Sequence, residues 1–364
     1  MMVVSLRFRG SNCLRQRIIL SLLTAKSVII DDIRSDDNEG LREHERSLLE
    51  LIKTITSGTN IQISRTRLQI NPGTIIGGEI SYNCHVERSI SYYLEVLLCL
   101  APFCKKPLKA TLKGVTNDQI DPDLDSIKAS SLPLLKRFMG DVEGTKLDLK
   151  ILARGFKPEG GGSVLFTCPV VRQLQPVQLT ESGKIKRVRG VAVAARVSPQ
   201  MGNRLIDTSK GLLLRFLPDV YIYSDHTKGK TSGLSPGFSL SLSAETTEGC
   251  ILTAGAVSNS KGSSGGPTIP EDLAKEATYA LYEEIERGGC VDSINQSLAL
   301  TLMAFNQKDV SIVRFGPLTT YTIHYLRHLK EFCGLTFKLD SCDGGEVVAT
   351  CAGIGYRNLS KPTY

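Results

Sequence analysis

The chain has 364 residues, of which 41% are hydrophobic, and a formal net charge of +7. No apolar run approaches the ~18 residues that a membrane-spanning helix needs. An arginine interrupts the short apolar start, which disfavours a secretory signal. We therefore expect a soluble intracellular protein whose mild basic excess permits nucleic-acid binding without requiring it. The ten cysteines form no Cys-x-x-Cys pair and most lie in apolar runs, which predicts reduced, buried thiols and no zinc site.

The first part of the chain predicts helices that alternate with strands. Leu14, Ile18 and Leu22 share one face of a helix in "SNCLRQRIILSLLTA". A strand, a second helix and two further strands are predicted to follow in "SVIIDDI", "EGLREHERSLLELIKTI", "IQIS" and "LQI". The order of this unit is αβαββ.

The same order returns twice, which makes an internal repeat the strongest architectural signal. Pro133 is predicted to bend or break the second helix of the second unit. The second unit comprises "SISYYLEVLLCLA", "LKATLKGV", "PDLDSIKASSLPLLKRFM", "KLDLKILA" and "SVLFTCPV", and the third "NQSLALTLMAF", "VSIVRF", "TIHYLRHLKEF", "LTFKL" and "EVVATCA".

A segment of different order separates the second and third units. Its pattern predicts βαβββα, from "RVRGVAVAARVS" to "PEDLAKEATYALYEEIER". We therefore predict an α/β (α+β) fold, in which three repeated αβαββ units form a large domain and a smaller βαβββα domain is inserted between the second and third units. The predicted boundaries are 1–185 and 289–364 for the large domain and 186–288 for the insertion.

A glycine-rich loop, "RGFKPEGGG", joins two predicted strands in the second unit. A phosphate-binding loop of the nucleotide-binding type needs a following helix, whose N–H groups face the phosphates. Gly160, Gly161 and Gly162 precede a strand, so the pattern favours a tight hairpin or bulge where no side chain fits. Arg154 and Lys157 leave open an exposed anion contact.

Four stretches together resemble the RNA 3′-terminal phosphate cyclase family. They are "NPGTIIGG", "KGVTNDQIDPDLDSI", "RGFKPEGGG" and "SPGFSLSL", and they occur in the family's order across the whole chain. "YYLEVLLCLAPF", "RVSPQM" and "GIGYRNLSK" are most similar to the eukaryotic cyclase-like branch. That resemblance implies a nuclear, nucleolar factor for small-subunit ribosome assembly. It further implies contacts with a GTPase of the small-subunit processome and with pre-rRNA in the pre-ribosomal particle, in support of the early cleavages that lead to 18S rRNA.

The resemblance also implies that cyclase activity is lost. Family cyclases use a histidine nucleophile at the start of the last long helix, and Tyr321 matches that position. His324 lies one turn later, about 4–5 Å along the helix axis. Phe8 and Asn295 match acidic family positions, and neither side chain carries a negative charge. We therefore predict no catalytic residue, no metal and no cofactor.

By the same resemblance, the family's cationic positions are better retained in this sequence than its nucleophile and acidic positions. Arg15, Arg34 and Arg42 match positions near the family's phosphate-binding cleft, which predicts an RNA-backbone or anion site together with Arg154, Lys157 and the three glycines. For Arg34 and Arg42, pairing with Asp36, Asp37 or Glu39 is an equally weighted alternative.

Two further basic stretches are candidate RNA or partner surfaces. "GKIKRVRG" contributes Lys184, Lys186, Arg187 and Arg189. In "TIHYLRHLKEFC", helical spacing places Arg327 and His328 with His324 on a solvated face, with Lys330 at its edge. The i, i+4 histidines lack a visible third metal ligand. Because aromatic residues are only 6% of the chain and form no rich motif, RNA binding is expected to be electrostatic.

Other functions remain open from sequence alone. Arg327, His328 and Lys330 could serve as an acid–base set on RNA, which would make the protein a pre-rRNA endonuclease. An active RNA 3′-phosphate cyclase would require that His324 replace Tyr321. An enolpyruvyl transferase is disfavoured, because those enzymes use six repeated units and two equal domains.

Overall fold

The computed structural model describes residues 5–37, 39–140, 142, 146–260, 262–263 and 265–358. The predicted mixed α/β class is confirmed. No helix among these residues is long and apolar enough to cross a membrane. All ten cysteines lie in the described ranges as free thiols, and most of them are buried.

The first four-stranded sheet has the strand order β1-β2-β5-β4. β1 is parallel to β2, and the other neighbouring pairs are antiparallel. A helical crossover is what lets two parallel strands adjoin, and α1 provides it here. The elements are β1 (Leu6–Arg9), α1 (Leu14–Thr24), β2 (Val28–Asp31), α2 (Glu43–Ile55), β3 (Thr56–Ser57), β4 (Asn60–Ser64), β5 (Arg67–Asn71) and β6 (Thr74–Ile75).

The second sheet has the order β7-β8-β10-β9, again with one parallel pair at its start. A π-helical turn at 127–131 lies directly before Pro133, where the chain was predicted to bend. The elements are β7 (Gly77–Asn83), α3 (Ile90–Leu100), β8 (Lys106–Gly114), α4 (Leu124–Ser126), α5 (Leu132–Met139), β9 (Asp148–Ala153) and β10 (Gly162–Cys168).

The third sheet contains a strand that precedes the inserted segment. Its order is β11-β16-β18-β17, and β11 (Gln178–Leu179) pairs in parallel with β16. Between them lie β12 (Ile185–Ala195), α6 (Pro199–Leu213), β13 (Val220–Thr227), β14 (Gly237–Thr246), β15 (Ile251–Val257) and α7 (Pro270–Arg287). They are followed by α8 (Gln296–Ala304), β16 (Val310–Phe315), α9 (Thr320–Cys333), β17 (Lys338–Ser341) and β18 (Val347–Ala352).

Two details of the predicted architecture are therefore wrong. Each repeated segment begins with a strand that sequence reasoning did not assign, namely β1, β7 or β11. These strands give weak signals: β1 alternates with arginines, β7 opens with two glycines, and β11 has two residues. The insertion consequently interrupts the third segment after its first strand instead of preceding it.

Buried side chains form a large cluster, a smaller cluster and a third cluster of three residues. In the large one, α1 packs against α3 and α9, and α3 packs against α8. The smaller cluster lies between α6, α7 and one face of the sheet β13-β12-β14-β15, with Leu205, Leu240 and Leu273 at its centre. Phe156, from the glycine-rich loop, packs with Val193 and Ala195 on the other face of that sheet. The inserted segment is thus covered by helices on one face and in part by the second repeat on the other.

Candidate functional site

A cavity of about 350 Å³ lies where the starts of α1, α8 and α9 meet α3. Arg15, Asn295 and Tyr321, which are distant in sequence, all line it. The structure therefore brings together three positions that the family resemblance singled out. The remaining polar lining includes Arg88, Glu95, Asp121 and Thr319.

Each arginine of the cavity is neutralised by a carboxylate. Arg15 forms an ion pair with Glu95, and Arg88 Nε donates to Asp121 Oδ2 at 2.8 Å. The two guanidinium groups lie over the ring of Tyr92, 4.4 and 4.6 Å from its centroid. These contacts supply the hydrogen bonds and charge that a bound anion would otherwise provide. The cavity therefore offers paired cations within a largely apolar wall.

Tyr321 occupies the first turn of α9 at the rim of the cavity. Thr319 caps this helix, because its Oγ1 accepts a hydrogen bond from the Thr322 N–H at 3.1 Å. The Tyr321 carbonyl oxygen accepts from Gln16 Nε2 at 3.1 Å, which anchors the turn to α1. His324 is exposed one turn later and is not among the residues that line the cavity. The rim therefore presents a phenol, and not an imidazole, to the cavity.

Asn295 belongs to a buried polar network that joins separate parts of the chain. Its Nδ2 donates to Ser130 Oγ at 2.8 Å and to Asp292 Oδ1 at 2.6 Å, and its Oδ1 accepts from Ser131 Oγ at 2.6 Å. Burial raises the pKa of Asp292 to about 6. Thr253 Oγ1, on β15, donates to the same carboxylate at 2.6 Å. An amide suits this position because it can donate and accept at once.

His328 was predicted to lie on a solvated face of α9, and this prediction is wrong. The residue is only 7% exposed, because α9 packs against α1 there. Arg17 Nε donates to His328 Nε2 at 3.4 Å, so Nδ1 carries the proton and donates to Gln16 Oε1 at 3.1 Å. Both ring nitrogens are engaged, which leaves none for a metal or an RNA phosphate. Burial, with the nearby Arg17 charge, lowers the pKa of His328 to about 4.

Phe8 forms part of the same contact between α1 and α9. Its ring stacks on Phe332 with centroids 5.7 Å apart and meets the edge of His328 at 5.4 Å. The Arg17 guanidinium lies over the ring, 4.6 Å from its centroid. An acidic side chain at this position would lose these aromatic contacts. Phe8 therefore has a packing role in this chain.

Arg34 and Arg42 both meet Glu45, a partner that sequence reasoning did not consider. The Arg34 guanidinium binds both carboxylate oxygens at 2.8 Å and also donates to the Gly40 carbonyl oxygen. The Arg42 backbone N–H donates to Glu45 Oε2 at 2.8 Å, which caps α2, while its side chain is exposed. Arg34 is thus held in a structural ion pair, whereas the Arg42 side chain faces solvent. An RNA contact by either residue stays a prediction.

Arg154 was predicted as an exposed anion contact, but it is buried. Only 4% of the residue is exposed, and its guanidinium bridges two carboxylates. Its Nη2 donates to Asp125 Oδ1 at 3.0 Å, and its Nε donates to Asp225 Oδ2 at 2.9 Å. Asp125 lies within the short helix α4, in the second repeat, and Asp225 lies on β13. Arg154 therefore ties the inserted segment to the second repeat.

The glycine-rich loop beside Arg154 is also closely packed. The Gly160 carbonyl oxygen accepts from the Leu234 N–H at 2.9 Å, and the Gly160 N–H donates to the Phe156 carbonyl oxygen at 2.9 Å. A Cβ on Gly160 would lie 2.9 Å from the Gly114 carbonyl carbon. Lys157 is partly exposed and lies 3.1 Å from Asp118 Oδ2.

These contacts favour the hairpin interpretation of the three glycines. Gly161 and Gly162 are equally restricted, since an added Cβ would approach Leu234 to 2.8 Å or Thr116 to 2.5 Å. The ladder between β9 and β10 also shifts register at Ser163. Anion binding by the loop has no independent support from its geometry and stays a prediction.

The two basic surfaces differ in how many of their cations are already paired. Arg187 pairs with Glu245 at 2.6 Å and Arg189 with Asp219 at 2.7 Å. In the described ranges, Lys184 and Lys186 have no carboxylate within 4.0 Å, and the same holds for Arg327 and Lys330 on α9. All four of these side chains are exposed. They are the cations that remain most available to a partner.

Sequence reasoning missed a pair of exposed aromatic residues. Tyr221 and Tyr223 are 51% and 55% exposed, and their ring centroids lie 4.5 Å apart. The Tyr-x-Tyr spacing within the predicted strand "DVYIYS" was the available signal, because residues two apart share one face of a strand. The absence of an aromatic-rich motif in the sequence therefore did not exclude an exposed aromatic pair, and the electrostatic mode of RNA binding stays a prediction.

The described residues form a mixed α/β fold, and that class is consistent with the family to which the sequence compares. A sequence model described as RNA 3′-terminal phosphate cyclase matches residues 6–339. The chain therefore belongs to the RNA 3′-terminal phosphate cyclase family.

Several curated relatives share nearly the whole chain. "RNA 3'-terminal phosphate cyclase-like protein" of Mus musculus is 53% identical, over 98% of this chain and 98% of the relative. A "Probable RNA 3'-terminal phosphate cyclase-like protein" of Dictyostelium discoideum is 48% identical, over 99% and 100%. The "rRNA processing protein rcl1" of Schizosaccharomyces pombe is 38% identical, over 98% and 97%.

We predict that Gly160→Ala destabilises the fold by about 2–4 kcal/mol. Gly160 has a φ of +69°, which disfavours any side chain, and its Cβ would meet the Gly114 backbone. Urea unfolding followed by circular dichroism measures the change. Gly211→Ala is the matched control, because space is open around Gly211 in α6 and alanine favours a helix by about 0.5–1 kcal/mol. Equal stability of the Gly160→Ala variant and the wild type would refute the close packing.

We predict that His328 makes the fold less stable as the pH falls from about 6.5 to about 4. The unfolded chain binds a proton at this histidine in that window and the folded chain does not, so lower pH favours unfolding. The contribution is roughly 2–3 kcal/mol. His328→Gln should flatten this part of the pH profile in urea titrations, whereas His85→Gln, at an exposed position, should not. An identical pH slope in His328→Gln would contradict the burial of the neutral ring.

Proposed function

We propose that this chain is a nuclear, nucleolar factor for small-subunit ribosome assembly that has lost cyclase activity. It would dock a GTPase of the small-subunit processome on pre-rRNA and so support the early cleavages that lead to 18S rRNA. The observation that carries the proposal is Tyr321 at the rim of a cavity whose arginines are already paired. One relative is named as cyclase-like and another as an rRNA processing protein, and both names support this proposal.

The chemistry of the cavity supports the loss of adenylyl transfer. A tyrosine hydroxyl is a poor substitute for an imidazole, because it must lose a proton to become a strong nucleophile. Glu95 and Asp121 form ion pairs with the guanidinium groups of Arg15 and Arg88. Without these partners, the two guanidinium groups would be free to bind phosphate oxygens. A nucleotide would have to break both ion pairs to bind in the same place.

The endonuclease alternative loses support from the position of His328. Its two ring nitrogens face Arg17 and Gln16 inside the protein, while Arg327 and Lys330 are exposed. The three side chains therefore do not converge on a point where a 2′-hydroxyl could react. The two exposed cations instead suit a docking surface for an acidic partner segment, which we place on α9 for the GTPase.

The first test of this function is adenylylation. Because no histidine of the described residues lines the cavity, incubation with radiolabelled ATP and a divalent cation should leave no label on the protein in a denaturing gel. An active member of the family, treated in parallel, verifies the assay. A phosphoramidate-linked AMP on His324 would contradict the proposal.

The second test concerns the docking surface. Arg327→Glu with Lys330→Glu should reduce co-precipitation of the GTPase and lower 18S rRNA, because reversed charges repel an acidic partner. Lys136→Glu with Lys275→Glu places the same charge change on two other exposed helices and should have little effect. Tyr321→Phe should also leave 18S rRNA normal, since no covalent step depends on its hydroxyl.

Pre-rRNA blots from the same cells separate docking from cleavage. A reversal variant that keeps the GTPase and enters pre-ribosomes, yet loses a single cleavage, would show that docking is not the role of this surface. That outcome would restore the endonuclease alternative.

A further inference from the structure

The sheet of the inserted segment is open on half of one face. Ile222 points into the small core beneath α6 and α7, so Tyr221 and Tyr223 lie on the opposite face. At the far end of that face, Asp225 is covered by Arg154, and Val193 is covered by Phe156. No corresponding cover lies over the tyrosines within the described residues, since both remain half exposed.

The neighbours of the tyrosines include an arginine, a lysine and a valine. On β12, Arg189 is the register partner of Tyr221, and Val191 is the partner of Tyr223. The Lys210 Nζ lies 5.8 Å from the Tyr221 ring centroid. Lys210, like Lys184 and Lys186, has no carboxylate within 4.0 Å in the described part of the chain. We call Tyr221, Tyr223, Arg187 and Arg189 the tyrosine platform.

We propose that the tyrosine platform binds single-stranded RNA by stacking bases on Tyr221 and Tyr223. The proposal rests on the proposed role in pre-rRNA processing and adds a location and a mode of contact. An exposed aromatic pair on an open sheet face is a surface on which unpaired bases stack, and nearby cations attract the phosphates.

The exposed rings and their polar surroundings favour RNA over a protein segment as the occupant. An apolar helix would require a groove lined by aliphatic side chains, whereas this face presents Ser243 and Glu245 beside the arginines. Arg187 and Arg189 are each paired with one carboxylate, so they add little net charge to this face. Lys210, whose Nζ lies 5.8 Å from the Tyr221 ring centroid, supplies the unpaired positive charge at the margin.

The test uses the purified full chain and a short, fluorescently labelled oligouridylate. Replacing both tyrosines by threonine keeps the preference for a strand and removes the rings. Tyr221→Thr with Tyr223→Thr should weaken binding roughly tenfold or more, measured by anisotropy. Tyr221→Phe with Tyr223→Phe keeps the stacking surface and should bind within about threefold of wild type. Tyr279→Ala, at an exposed tyrosine on α7, is the matched control and should not change binding.

Two further measurements distinguish stacking from general attraction to a polyanion. An abasic ribose-phosphate oligomer of the same length should bind the threonine variant and the wild type equally. The slope of log affinity against log salt should also be the same for both, because no phosphate contact has been removed. Thermal unfolding of each variant verifies that the inserted segment remains folded.

The outcomes separate this inference from the proposed function. If wild-type protein fails to bind oligouridylate, or the threonine variant binds it as well as wild type does, the platform is not an RNA site. Lost co-precipitation of the GTPase with unchanged RNA binding would identify it as a protein contact instead. Depletion of the protein with a pre-rRNA blot tests the role in rRNA processing by itself, whatever the platform binds.

Discussion

The buried guanidinium of Arg154 is the interaction on which the arrangement of the inserted segment depends. It bridges Asp125 of the second repeat and Asp225 of β13. Removing one partner of such a buried ion pair costs about 3–5 kcal/mol, because the other charge is left without compensation. Ser241 Oγ, on β14, also donates to Asp123, and Asn117 Nδ2 donates to Ser239. These polar contacts hold one end of the sheet against the second repeat and leave the other end open.

The central cavity contains arginines whose charges are already compensated within the protein. Arg15 and Arg88 each have a carboxylate partner, and both guanidinium groups lie over the ring of Tyr92. Because the network satisfies its own charges, it stabilises the contact between α1 and α3 without a ligand. The presence of arginines in the cavity therefore does not require that it bind phosphate. Fold similarity alone would not distinguish these two possibilities.

The two surfaces proposed for partners depend on different kinds of interaction. On α9, Arg327 and Lys330 are isolated exposed charges, whose attraction to a partner is long-ranged and reduced by salt. On the tyrosine platform, base stacking on the two rings is weakly affected by salt. Nearby cations attract the RNA strand toward the rings. A protein with both surfaces could hold a protein and an RNA at once, because α9 and β13 belong to separate parts of the fold.

Much of the secondary structure was predictable from the sequence because periodicity is local. The apolar spacing of α1, α2, α3, α8 and α9 predicts these helices, and β-branched runs predict most strands. The leading strands were missed, because β1, β7 and β11 are short, charged or glycine-rich and become strands only through pairing with a neighbour. The family, the match of Tyr321 to the nucleophile position and the glycine hairpin could also be read from motifs.

The sequence by itself determined which residue types are available, and the tertiary structure decided which of them face solvent. Helical spacing placed His328 beside Arg327, but the packing of α1 on α9 buries it against Arg17 and Gln16. Arg154 looked like an exposed cation until the fold placed two carboxylates around it. The sequence placed Tyr221 and Tyr223 in a strand without indicating their exposure. In the structure, no element covers the part of the sheet face on which they lie, among the described residues. Periodicity reports a local face, whereas burial depends on which distant element covers that face, and only long-range contacts determine that.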